Sequence, residues 1–142
     1  MKIIIGFAIL LTIFIIVGAV MRKNIYREVD RLGLWKIDLL NRPVSEEIAK
    51  VKSLNLVGET EKHFEKWRNE WEHIIAVELP DLEESLIDAE ELSDKYRFRK
   101  AKQTLASIEQ ELHNIEERVE TILKEIEEWV NSEETSKVKA VT

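Results

Sequence analysis

An all-α fold is predicted, with a single N-terminal transmembrane helix continuing into a coiled-coil-like antiparallel helical bundle. Three observations predict it. Ile3 to Met21 is a run of 19 residues without a charge. From Phe98 to Trp129 apolar residues recur at an unbroken alternation of three and four. Punctuation is scarce, with 4 Gly and 2 Pro in 142 residues of which 35% are charged. That balance suits long, solvent-exposed helices, whereas an all-β or α/β fold needs more turn residues.

The first element is the anchor, residues 1–22. At about 1.5 Å per residue its apolar run nearly matches a hydrocarbon core of about 30 Å. Ile3, Phe7, Leu11, Phe14, Val17 and Met21 are the side chains expected to face lipid. Thr12 can return its hydroxyl to the preceding turn, so one polar atom at mid-membrane is tolerated. A cleaved secretory signal has an apolar stretch of about 7 to 15 residues before a small-x-small site. Here the run is longer, and Gly18-Ala19-Val20 is followed at once by Met21, Arg22 and Lys23, as in a stop-transfer flank. The anchor is therefore expected to stay attached. Lys2 precedes the span, while Arg22, Lys23 and Arg27, with Arg31 and Lys36 beyond, follow it. The positive-inside rule then puts the amino terminus outside and the remainder in the cytosol.

Residues 23–42 are expected to form a helical stalk. Ile25, Val29, Leu32, Trp35 and Leu39 are spaced by three or four, so the membrane helix continues as an amphipathic one. Pro43 disfavours helical geometry at Arg42, and Ser45 with Glu46 and Glu47 carries the signals to start a short helix through about Leu54. Asn55 to Gly58 breaks the chain again.

Within the bundle domain, residues 43–131, a long helix is expected from Glu59-Thr60. It carries Phe64, Trp67, Trp71, Ile74, Ile75, Leu79, Leu82, Leu86 and Ala89. The stripe shifts phase between Ile75 and Leu79, next to Pro80. A proline there removes a donor and crowds the carbonyl of Ala76, which predicts either a kink or a helix restart. The last helix carries Phe98, Ala101, Leu105, Ile108, Leu112, Ile115, Val119, Ile122, Ile126 and Trp129. Its period of 3.5 predicts a left-handed seam against a partner, the simplest being the preceding helix folded back at Asp94 to Arg97. Heptads permit closure with the stalk or pairing between molecules, so homo-oligomerisation stays open. Residues 132–142 lack a stripe and are expected to fray or to mark a truncation point.

Charge and composition exclude several functions. No cysteine is present, so a disulfide framework, a thiolate metal site and a thiol nucleophile are ruled out. Without Lys2 the formal charge of −7 becomes −8 for residues 22–142, which argues against nucleic acid as a partner. Glu70 and His73 form one Glu-x-x-His, but a di-iron bundle needs two, and Gln110 and Thr60 precede His113 and His63 at that spacing. Glu84, Asp88 and Glu91 share a helical face that is acidic like its surroundings. There is no phosphate loop, nucleophile elbow or His-Glu-x-x-His motif. We expect no enzyme activity, no cofactor and no metal. Lys95, Arg97, Arg99, Lys100 and Lys102 interleave with Tyr96 and Phe98, read as a helix-helix turn or as a docking point for an acidic protein tail. Trp35, Phe64, Trp67, Trp71, Tyr96, Phe98, Leu105, Leu112, Val119 and Ile126 are assigned to helix packing.

A set of local motifs carries a family resemblance: the span with its basic flank, Trp35-Lys36-Ile37, Asn41-Arg42-Pro43-Val44, Leu54-Asn55, Gly58-Glu59-Thr60, Phe64, Trp67-Arg68, Glu70-Trp71, Asp94-Lys95-Tyr96-Arg97-Phe98 and Lys100-Ala101. Together they resemble the amino-terminal part of the septation ring formation regulator EzrA family. The resemblance implies spectrin-like triple-helical repeats in the cytosol and a membrane location at the division septum. It further implies a role in cell division through the tubulin-like protein FtsZ, whose assembly members restrain away from mid-cell, and links to wall-synthesis proteins. Family members are much longer, with further repeats. No FtsZ-contacting residue is assigned, because the matched motifs read as structural. The alternative reading is an extracytoplasmic coiled-coil oligomerisation or tethering protein with no division role.

Overall fold

A computed structural model describes residues 1–52 and 59–141, with side chains described at 1–52 and 61–132. Its helices are α1 (Lys2–Leu40), α2 (Val44–Lys52), α3 (Glu59–His73), α4 (Leu79–Asp94) and α5 (Phe98–Val141), and a π-helical turn, Ile74–Glu78, joins α3 to α4. No strand occurs among the described residues, so the fold is all-α as expected.

The apolar run and the stalk form one unbroken helix, α1, because nothing between Lys2 and Leu40 interrupts helical geometry. Thr12 returns its hydroxyl to the Ala8 carbonyl at 2.8 Å, as its position suggested. Asn41 and Arg42 close the helix with tightened bonds to Ile37, Asp38 and Leu39. Pro43 then opens α2, its carbonyl accepting the Glu47 N–H at 3.1 Å. Ser45, expected to cap α2, is inside the helix and its hydroxyl instead accepts the Trp71 indole N–H at 2.9 Å. The expected end of α2 near Leu54 and the break at Asn55 to Gly58 lie outside the described residues.

Contacts divide the chain into two units: Met1–Trp35 with Asp81–Gln110, and Lys36–Pro80 with Glu111–Thr142. In unit 1, three helices pack together through Ile25, Val29 and Leu32 of α1, Leu82, Leu86 and Ala89 of α4, and Ala101, Leu105 and Ile108 of α5, all buried. The α4–α5 connection is a Schellman motif. The Arg97 N–H donates to the Leu92 carbonyl at 2.8 Å and the Tyr96 N–H to Ser93 at 3.0 Å. Tyr96 takes the left-handed position, φ 59°, where glycine is usual and a side chain costs roughly 1–2 kcal/mol.

Unit 2 is built from Leu39, Val44, Ile48 and Val51, from Phe64, Trp67, Trp71, Ile74 and Leu79, and from Leu112, Ile115, Val119, Ile122 and Ile126 of α5. The phase shift near Pro80 has a single cause here. Buried positions run 64, 67, 71, 74 and then 79, one residue longer than a heptad allows. The π turn absorbs that residue, with Leu79 N–H bonded to the Ile74 carbonyl five positions back. Of the two expected outcomes, a restart does not occur, since α3, the π turn and α4 follow one another without a gap. A wider turn lets the stripe stay on one face across a proline that cannot donate.

Two further differences have simple reasons. The heptad of α1 continues 25, 29, 32, 36, 39, so Lys36 (9% exposed) takes the place between Leu32 and Leu39 and Trp35 is only half-buried. A long lysine can lay its methylenes inside while its ammonium reaches outward. Residues 132–141, expected to fray, continue α5 to Val141, since no Gly or Pro occurs there to end a helix.

Candidate functional site

Unit 2 holds the more enclosed polar constellation. Arg118 donates from Nε to Glu70 at 3.2 Å and from Nη1 to Glu78 at 2.6 Å, so one planar fork ties α5 to both α3 and the π turn. The hydrogen bond to Glu78, opposed by burial and helped by Glu70, raises the Arg118 pKa above its already high value. Arg42, just past α1, donates to Asp38 and to Glu116 of α5, both at 3.2 Å. Trp67 donates its indole N–H to Glu125 at 2.8 Å. Arg42 Nε and Glu78 Oε2 are buried without a hydrogen-bond partner. Half of the Glu-x-x-His pair is thus already committed: Glu70 binds Arg118, while His73 is exposed. No group of three or more His, Cys, Asp or Glu able to hold a metal occurs among the described residues.

Unit 1 carries a second constellation at the α4–α5 turn. Asp94 accepts from the Tyr26 hydroxyl at 2.6 Å and pairs with Arg22 at 2.8 Å. Donating to Asp94 raises the Tyr26 pKa above 10.0, with Arg22 opposing. The Arg22 guanidinium also lies over the Tyr26 ring, 5.6 Å from its centre. Farther along, Arg31 bridges Glu28 at 2.8 Å and Glu109 at 3.1 Å. Its hydrogen bonds lower the Glu28 pKa from 4.5.

The residues assigned from sequence fall out as follows. Phe64, Trp67, Trp71, Leu105, Leu112, Val119 and Ile126 are buried, and Phe98 is half-buried. Tyr96 departs from packing of that kind: it is 62% exposed, its ring meeting Phe98 edge-on at 5.8 Å and approaching Gly18. Ile3, Phe7, Leu11, Phe14 and Val17 are exposed, and α1 is the one described helix long and apolar enough to cross a membrane. Arg22, Lys23 and Arg27 follow that segment and are exposed. Glu84, Asp88 and Glu91 are exposed. The Arg118 fork was missed by sequence reasoning, although a signal exists: Arg118 is the only Lys or Arg between Lys102 and Lys124.

Among the described residues these polar groups hold helices to one another. The molecule is of the all-α, helix-packing class, with an exposed apolar segment at its amino-terminal end. Residues 3–141 match the family described as septation ring formation regulator, EzrA. The septation ring formation regulator EzrA of Geobacillus kaustophilus (strain HTA426) is 53% identical over 125 residues, 88% of this chain and 22% of that protein. Those of Bacillus licheniformis and Bacillus subtilis (strain 168) are 47% identical over 137 residues and 48% identical over 126, covering 96% and 89% of this chain and 24% and 22% of their own lengths. No solved structure matches. This chain belongs to the EzrA family, and it spans under a quarter of the length of these relatives.

Proposed function

We propose that the chain is a membrane-anchored, cytosolic cell-division regulator that binds FtsZ and restrains septation-ring assembly away from mid-cell. The observation that carries this reading is the family match across residues 3–141, together with relatives whose names describe regulators of septation ring formation. The exposed apolar segment of α1 supports an anchor, because a core helix of that composition would be covered by protein. With Arg22, Lys23 and Arg27 on its carboxy-terminal flank, the amino terminus lies outside and residues 23–142 face the cytosol. Residues 1–22 anchor, 23–42 form the stalk and 43–131 the bundle. Confinement to the inner leaflet at the septum raises the module's effective concentration near ring and wall-synthesis proteins. Its mechanism requires binding alone.

The test pairs topology with polymer. Reporters fused to the carboxy terminus should be active only in the cytosol, and the full chain in lipid discs should lower the FtsZ polymer recovered by pelleting. Unaltered polymer at high molar excess would defeat the FtsZ reading. Protease digestion of residues 23–142 from outside intact cells would favour an extracytoplasmic tether instead.

A further inference from the structure

The α4–α5 turn is chemically unlike the rest of the chain. Residues 22–27 and 94–102 together hold eight Lys and Arg against one Asp, in a chain of formal net charge −7. Lys95, Arg97, Arg99, Lys100 and Lys102 are all exposed, and among the described residues none of the five makes an ion pair. By contrast Arg22, Arg31, Arg42, Arg68 and Arg118 are each paired with a carboxylate. Five free cations in nine residues, in so acidic a protein, are a surface awaiting anions.

The fold determines where those cations sit. Gly18 is buried although its neighbours along the apolar segment are exposed, and what lies nearest is Tyr96: a Cβ at Gly18 would meet the ring at 3.4 Å. Asp94, at the other side of the turn, is held by Arg22 and Tyr26. The turn is therefore level with the last turn of the apolar run, Gly18 lying three residues, about 4.5 Å along the axis, before Met21. Beside it runs an open groove of about 450 Å³, floored by Ile15, Gly18 and Ala19, walled by Tyr96 and edged by Arg22 and Lys23. An apolar floor with a cationic mouth suits an acyl chain ending in an anionic headgroup. Tyrosine is favoured at that depth, where its ring is in contact with hydrocarbon and its hydroxyl with water. The position explains a costly choice as well: a left-handed tyrosine in place of glycine gives the turn a ring to lay on α1.

We infer that the α4–α5 turn is a second membrane contact, in which Tyr96 enters the interface against Gly18 and Lys95, Arg97, Arg99, Lys100 and Lys102 bind anionic phospholipid headgroups. The inference rests on the anchor reading of residues 1–22. Two attachments, the span and the turn, fix the tilt of unit 1 on the bilayer, which a single helix leaves free. Anionic lipid content then controls how firmly unit 1 is held, since polybasic attraction falls off within a Debye length and is screened by salt.

The cysteine-free chain allows one label per molecule. Full-length Arg99→Cys and, separately, Ile9→Cys carry an environment-sensitive fluorophore in discs of phosphatidylcholine with or without phosphatidylglycerol, doped with lipids quenching near the headgroup or at mid-chain. The Ile9 label should be quenched from mid-chain in both discs. The Arg99 label should be quenched from the headgroup level, roughly twofold more with phosphatidylglycerol, and high salt should abolish the increment. Neutralising Lys95, Arg97, Lys100 and Lys102 to Gln should return it to the phosphatidylcholine value. A quenched Ile9 label with an Arg99 label that stays water-exposed in both discs overturns the inference while leaving the anchor intact; an unquenched Ile9 label overturns the anchor itself. Shielding of the Arg99 label only when a soluble acidic protein is added, and never by lipid, assigns the turn to a protein partner and likewise overturns it.

Discussion

Units 1 and 2 use the same device, an arginine bridging two carboxylates, in different surroundings. In unit 1 the Arg31 side chain is 46% exposed and its partners Glu28 and Glu109 are 48% and 42% exposed. In unit 2 Arg118 is 36% exposed and its partners Glu70 and Glu78 only 29% and 28%. Water competes for the first set and screens it, so the bridge adds little; the second is partly desolvated, so each member depends on the others. Unit 2 also directs the indoles of Trp67 and Trp71 into hydrogen bonds, with Glu125 and Ser45. One lesson is that the polar specificity of this fold is concentrated near the π turn, while unit 1 carries its cations outward.

The largest expected effect lies under unit 2. Ile126, with 0% exposure, should on replacement by Ala destabilise the full chain in detergent by about 2–5 kcal/mol, read from the shift in urea or thermal unfolding followed by helical circular dichroism. A smaller loss would mean that the seam collapses onto the cavity.

Next comes the contrast between the two forks. Arg118→Ala should cost about 1–2 kcal/mol, reduced from the fully buried case by its exposure, because two part-buried carboxylates lose their donor. Arg31→Ala should cost no more than about 0.5 kcal/mol and lose even that in high salt. Equal costs would erase the distinction between the units.

The smallest effect is in pH dependence. Hydrogen bonding to Arg31 lowers the folded pKa of Glu28 below 4.5, so its contribution to stability is complete above that value and is lost as pH falls through the lowered one. Tyr26 has the opposite sign: donating to Asp94 raises its folded pKa above 10.0, so its contribution is present below 10.0 and is lost as pH rises through the raised value. NMR titration of the Glu28 carboxyl should lose its acid shift in Arg31→Ala, and Asp94→Asn should bring Tyr26 back toward 10.0.

Much of this was legible from residue spacing. The α5 seam from Ala101 to Ile126 is buried residue by residue, because a 3.5-residue period needs no knowledge of the partner to name the inward face. Trp35 shows the limit: a spacing of three and four admits either position 35 or position 36 between Leu32 and Leu39, and the choice of Trp35 followed hydrophobicity, yet the register buries Lys36, whose stem can fill the site. Pro80 was visible as a disturbance, but whether it ended or bent a helix depended on which carbonyls its neighbours could still satisfy.

By itself, then, the sequence determined that this chain is all-α, where its apolar segment lies, and which stripe of each long helix turns inward. These are properties of local periodicity, decided within a few turns of one helix. Only the tertiary structure decided that Arg118 forks between Glu70 and Glu78, that the extra residue before Leu79 is taken up as a π turn, and that Tyr96 lies on Gly18. Each of those depends on the axial stagger of one helix against another. A heptad repeat is nearly unchanged by a shift of seven residues, so stagger is set only when unequal side chains on three helices interlock.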